Sequence, residues 1–451
     1  MASQRIQERI EEFWRQYTLE RSQAVRVSRG MFLVFVFSAL LFTWMTFTTR
    51  KPWSPLTEAK YLWDVFLPVT LLSAWGLTVK EDKLGRRVQS GGYTVIFQVV
   101  TRGVNKEAVL RSVSSVLYWA PKYLRNFQVW VVTEEDADRD FFDSLEARVL
   151  YVPRDYSTPM GSRFKTRALH YASRVRVEEG LNRRDVWVYF MDEESVVGED
   201  TVLGIISFVE DQDREVGQGV ITYPNFWGRN LLVSYQDSLR VGDDMSRFRL
   251  QAKLGKVYLG HHGSHLLVRA DVEGKVGWDF GSVRAEDAVF GGSVTAEGYR
   301  WGFLQGFLYE QSPFTLQDFL RQRRRWVWGK LDLMRRVRTS RKLKLIHVLD
   351  LSLWLLSLPS EVLAILNLVY PTPMPGLIPS LISSFSFATV LYLYWLGHNV
   401  NATLAGSKWF PSALLNIALV PVLGGMEALS AWYGLLTYRR SWRIGFEIIR
   451  K

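Results

Sequence analysis

The 451-residue sequence predicts an α/β domain with a mostly parallel, Rossmann-like sheet, inserted between transmembrane α-helices. Three observations carry that prediction. Long uncharged runs lie near both ends of the chain, short apolar runs alternate with amphipathic stretches between them, and the net charge of +11 is concentrated where the two meet. From Arg321 to Lys344 there are eleven Lys or Arg and one acid, Asp332. Composition also excludes. With hydrophobic residues at 48% and charged residues at 22%, disorder is ruled out and no nucleic-acid partner is expected. The absence of cysteine removes disulfides, thiolate metal sites and cysteine nucleophiles.

Taken in order, residues 1–29 place Ile6, Ile10, Phe13 or Trp14 and Tyr17 at helical spacing among Arg and Glu. That pattern suits an interfacial helix on a membrane, or equally a solvated one. Gly30 to Thr49 carries no charge until its end, and about 20 such residues span a bilayer core. A second run, Val65 to Val79, extends backward through Tyr61, Leu62 and Trp63 with Pro68 as an internal kink, completing a transmembrane hairpin over 30–79. No cleavage pattern follows, so a removed signal peptide is not expected. Beyond the α/β region and the basic segment, 346–438 is apolar again. Pro371 to Gly376 separates helices over 346–370 and 377–398, and 409–438 holds Pro421, Gly424, Gly425 and a lone Glu427.

Basic flanks set the orientation. Arg15, Arg21, Arg26 and Arg29 precede the first span, Lys80, Lys83, Arg86 and Arg87 follow the second, and Arg439 to Lys451 forms a basic tail. All three belong on the cytosolic side, giving a multi-pass protein with a cytosolic α/β domain. Parity then requires 409–438 to be a third hairpin, a re-entrant pair or an interfacial helix, and a pair broken at Gly424-Gly425 is expected.

Within 80–313 the runs Tyr93–Val100, Lys106–Leu117, Phe127–Val132, Val149–Val152, Arg163–Val177 and Val186–Met191 alternate as strand and helix. Such sheets bind ligands at the carboxyl ends of their strands. Asp192-Glu193-Glu194 stands at one such end, where Asp192 and Glu194 project the same way and suit a hard divalent cation. Glu286 and Asp287 open a short helix beside Gly291-Gly292, suited to a general base or to a helix cap. In the basic interfacial helix over 314–345, Gln322, Arg325 and Trp326 share one face: Arg suits a diphosphate, and Trp can stack on a sugar. His261, His262 and His265 lie near a strand, with His262 opposed to the other two, and a structural role is expected rather than zinc.

An acidic pair, then Glu-Asp, then Gln-x-x-Arg-Trp, followed by membrane helices, resembles the membrane-integrated family 2 glycosyltransferases with the GT-A fold. Longer strings narrow the resemblance to the egghead-like β-1,4-mannosyltransferases: 163–169, 217–223, 237–245 with 249–251, and 312–319. It runs from about Tyr93 to Gly329. The resemblance implies an inverting hexosyltransferase that passes mannose from GDP-mannose to a glycolipid or lipid-linked sugar, forming a β-1,4 linkage. Asp287 would be the catalytic base, and Asp192 and Glu194 would hold Mg²⁺ or Mn²⁺. Thr101, Glu134, Lys165, Asp192, Gln322 and Arg325 would contact the donor, and Trp326 and Glu286 the acceptor. Which of Glu134 and Glu135 points inward stays open. His262 departs from the pattern, where a lysine is expected.

Two rivals remain. A processive polysaccharide synthase shares the short motifs but needs a pore of several helices, whereas about four clear spans are visible here. A non-enzymatic transporter or scaffold would show inverted repeats or decayed motifs, and neither is visible. A monomer bound to membrane lipids is expected.

Overall fold

The computed structural model describes residues 14–25, 30–80, 83–85, 91–211, 213–224, 230–258, 260–337, 339–406, 409–441 and 449. Eight strands form one sheet in the order β3-β2-β1-β4-β7-β6-β8-β5. They are β1 Thr94–Val100, β2 Phe127–Glu134, β3 Arg148–Val152, β4 Val186–Asp192, β5 Val196–Val197, β6 Val216–Thr222, β7 Leu266–Arg269 and β8 Trp301–Tyr309. The first half is parallel. Val100 of β1 lies opposite Val132 of β2 and Asp192 of β4, so Thr101, Thr133 and Asp192 emerge along one edge. β7 then runs antiparallel to β4 and β6, while β6 and β8 are parallel.

Alternation along β1 explains how both faces are covered. Val95, Phe97 and Val99 belong to a core with Val109, Val113 and Val116 of α1 (Lys106–Tyr123), while Ile96 joins Leu169 and Ala172 of α2 (Lys165–Glu178). Burial of each such side chain stabilises by about 1.5–3 kcal/mol. Further on, α3 is Leu231–Leu254, α4 Glu286–Ala296 and α5 Leu316–Arg336.

Apolar helices flank this domain. Gly30–Phe47, α6 (Arg341–Val369) and α7 (Leu377–Leu404) are long and apolar enough to cross a membrane. The second limb of the expected hairpin differs. It breaks into Tyr61–Asp64 and the 12-residue helix Leu67–Thr78, with Pro68 in the first turn rather than at a kink inside a span. Proline lacks an N–H and disfavours helical geometry in the residue before it, so it starts the second helix. Twelve residues rise only about 18 Å, short of the roughly 30 Å hydrocarbon core.

The C-terminal region also bends elsewhere than expected. α8 (Trp409–Ala418) and α9 (Val420–Thr437) meet at Leu419, beside Pro421, and Gly424 and Gly425 lie inside α9. Two glycines fix the contact between the domain and α7. A Cβ on Gly242 of α3 would stand 2.0 Å from the Leu393 carbonyl oxygen, and one on Gly397 would stand 1.6 Å from that of Ser238. Near the N-terminus, Trp14 and Tyr17 are buried and Tyr17 stacks on Tyr309 with centroids 3.7 Å apart, so these aromatics pack on the catalytic domain instead of lipid. The rest of the expected interfacial helix, residues 1–13 and 26–29, and most of the basic tail lie outside the described residues.

Candidate active site

The carboxyl edge of the sheet gathers the acidic residues. Asp192 closes β4, and the turn after it carries the chain across to β5, which pairs with β8 through Val196 and Tyr309. That crossing brings Asp192 and Glu194 to Glu310, the residue following β8, with one carboxylate oxygen from each within 4.8 Å of the others. Three hard oxygen donors at such spacing fit a six-coordinate Mg²⁺ or Mn²⁺ that keeps places for phosphate oxygens. Glu310 is buried and accepts from Ser195 Oγ at 2.9 Å and Ser264 Oγ at 2.7 Å, which fixes its orientation. It has no place in the sequence reading above. The signal was present: a residue directly after an apolar, aromatic run, the same strand-end position that singles out Asp192.

A second cluster adjoins the first. Lys165, at the start of α2, donates to Asp192 Oδ1. Burial alone would depress its ammonium, but Asp192, Glu286 and Asp287 together raise it above the usual lysine range. Glu286 and Asp287 occupy the first turn of α4. Burial raises both carboxyls; the Ala288 N–H and Lys165 oppose the shift at Asp287, and Lys165 and Arg325 oppose it at Glu286. Gly263 lines the same space, since a Cβ there would stand 3.3 Å from Lys165 Nζ and 3.7 Å from Asp287 Cβ.

Helix α5 is locked to this turn. A Cβ on Gly329 would stand 2.7 Å from Ala285 Cβ, so only glycine lets the helix approach so closely. Alongside, Arg284 Nε donates to Asp332 Oδ2 at 2.9 Å in a fully buried pair. The result carries Arg325 to within electrostatic reach of Glu286 and Asp287. Its neighbours have other partners. Gln322 is buried with its carbonyl on Arg323, whose guanidinium also bonds Asp237 at 2.8 Å and Glu427 at 3.2 Å. Trp326 lies under Arg323 and Arg240, 4.3 and 4.6 Å from its ring centroid.

Lys165, Asp192, Glu194, Glu286, Asp287 and Arg325 are thus brought together. Thr101 and Glu134 stand at neighbouring strand ends, engaged locally: Thr101 Oγ1 donates to Glu193, and Glu134 pairs with Arg167 at 2.8 Å. Glu135 turns the other way to accept from the Arg154 N–H.

The three histidines precede β7 rather than alternating along it, and a positive φ of 51° at His265 breaks any shared face. His265 Nδ1 faces the Tyr189 hydroxyl at 2.8 Å, and His261 packs against Trp301. His262 turns from Lys165 to α3, its Nε2 lying 2.7 Å from Asp244 Oδ2, and burial lowers its pKa. Among the described residues they form no metal cluster.

Residues 187–406 match the family described as glycosyl transferase family group 2. The Drosophila melanogaster β-1,4-mannosyltransferase egh is 34% identical over 414 residues, covering 87% of this chain and 89% of that protein. The Caenorhabditis elegans β-1,4-mannosyltransferase bre-3 is also 34% identical, over 75% of this chain and 76% of its own. Among solved structures, mannosyltransferase PcManGT from Pyrobaculum calidifontis, in complex with GDP-Man and Mn²⁺, is 14% identical with a TM-score of 0.48, over 85% of this chain and 97% of that one.

Proposed function

The chain belongs to the egghead-like β-1,4-mannosyltransferases of glycosyltransferase family 2 and is a hexosyltransferase; from that premise we propose that it passes mannose from GDP-mannose, with inversion, to a sugar on a membrane lipid. One observation supports this most. Lys165 interacts at once with Asp192, at the cation end of the site, and with Glu286 and Asp287. Donor phosphates and an acceptor hydroxyl would therefore meet at a single partly buried point.

Asp287 would take the proton from the acceptor hydroxyl as that oxygen bonds to mannose C1. The bond from C1 to the diphosphate oxygen breaks and GDP leaves with the electron pair. Arg325 meets the developing negative charge, helped by Lys165. Asp192, Glu194 and Glu310 would hold Mg²⁺ or Mn²⁺, which would neutralise charge on the diphosphate. Glu286 and Trp326 would face the acceptor, with Gln322, Thr101 and Glu134 bordering the donor. A single displacement at C1 would convert an α-linked donor to a β-linked product.

Membrane helices on either side of the domain suit a lipid-borne acceptor drawn from the bilayer, with a multi-pass monomer and its catalytic domain cytosolic. Purified protein carrying Asp287→Asn should lose transfer by about 10²–10⁴-fold while its GDP affinity stays within about twofold of the wild type. Unchanged turnover would rule out the base assignment.

A further inference from the structure

Two strings that carry the resemblance, 217–223 and 237–245, have no part in the chemistry above. The fold brings their ends together. Tyr223 follows β6, and its backbone N–H donates to Asn401 Oδ1 of α7 at 2.9 Å. Asp237 and Arg240 lie three residues apart on α3 and share a face. The Arg240 guanidinium stands 5.2 Å from the Tyr223 ring centroid and 4.6 Å from that of Trp326. It also lies in electrostatic reach of Asp237 and Glu310.

Unused hydrogen-bonding capacity converges here. Tyr223 Oη and Asp237 Oδ2 are buried with no hydrogen-bond partner among the described residues. Each such atom costs about 1–3 kcal/mol unless a ligand or water completes it. A guanidinium stacked on rings keeps its in-plane N–H donors for a ligand. The mixture of groups decides which ligand. A pyranose hydroxyl can donate to Asp237 Oδ2 while accepting from Arg240 or Tyr223, and its apolar face can lie against an aromatic ring. A diphosphate has no proton for Asp237, whose other oxygen already accepts from Arg323.

We propose that Tyr223, Asp237 and Arg240 form a sugar-binding subsite beside Trp326 that takes the hydroxyls of a neutral pyranose, the terminal sugar of the acceptor. This assignment rests on the reading that the acceptor is a lipid-linked sugar. The test uses full-length protein in lipid nanodiscs, titrated with methyl β-glucoside and separately with GDP. Tyr223→Phe removes only a hydroxyl that has no partner in the described structure, so it should not lower Tm; Arg240→Gln removes the stacked charge. Both should weaken glucoside binding about tenfold, as expected for a lost hydrogen bond of about 1.4 kcal/mol, and leave GDP binding unchanged. Glucoside binding that is absent in the wild type, or equal in all three proteins, overturns the subsite. So does a loss confined to GDP binding in Arg240→Gln, which would make that residue a diphosphate contact. Failure of the transfer reading shows separately, as wild-type protein that moves no mannose to a glycosyl lipid whatever the titrations give.

Discussion

At the scale of single residues, the site is defined by charges that offset one another. Burial raises the Asp287 carboxyl, so it accepts a proton at a higher pH than an ordinary Asp near 3.9. The base must be ionised, and the acid limb of the rate profile should therefore lie above about pH 4. Lys165 holds both acids of α4 down, so Lys165→Met should shift that limb further toward neutral pH. A limb that stays put in the variant would show that Lys165 does not couple to the base. Glu310→Gln should weaken Mn²⁺ binding, followed by electron paramagnetic resonance, about tenfold or more; wild-type affinity would remove Glu310 from the cation site. Asp192, Glu194, Asp287 and Arg325 were legible in the sequence because each sits in a short run whose local geometry aims it. Glu310 and Arg240 were not, since they meet the others only through a sheet crossing at 192–197 and a helix placed by tertiary packing.

At the scale of elements, the alternation of apolar runs located β1 to β4 with α1 and α2, while β5, β6, β8 and the long helix α3 had no strand or helix assigned to them. The expected run Phe127–Val132 is strand Phe127–Glu134, and the helix expected over 314–345 begins at Leu316, with the Thr315 hydroxyl accepting from the Asp318 N–H, but ends at Arg336, before α6 starts at Arg341. Periodicity failed where proline and partners decide. Pro421 moved the last hinge, and Tyr17 found Tyr309 instead of lipid. The basic helix is the instructive case. Arg323 and Arg324 face inward, bonded to Asp237, Glu427 and the Tyr433 hydroxyl, whereas a helix lying on a membrane surface would turn such residues to lipid headgroups. Composition reveals a charge but not its partner. Breaking the buried Arg284–Asp332 pair by Asp332→Asn should cost about 3–5 kcal/mol and lower Tm by roughly 6 °C or more. Thermal unfolding within about one degree of the wild type would mean α5 is held by packing alone. Gly397→Ala should be as damaging, because the backbone of α3 cannot retreat from a contact of 1.6 Å without separating from α7.

At the scale of the whole molecule, the sheet and the apolar helices that flank it are joined through α5. Among the described residues three helices are long and apolar enough to cross a bilayer, and α5 packs against α9 through Trp328 on Gly434 and against α6 through Lys330 on Asp350. The sequence made the alternation of soluble and apolar segments plain, since charge is expensive in hydrocarbon. It could not show that part of the excess charge, at Arg323, Arg324 and Lys330, serves internal joints. The most direct test supplies purified protein with GDP-mannose, Mn²⁺ or Mg²⁺, and a β-glucosyl lipid in nanodiscs, then weighs the product. One added hexose, joined β-1,4 and lost with Asp287→Asn, is the predicted result; a ladder of longer products, or no mannose transferred, would contradict it.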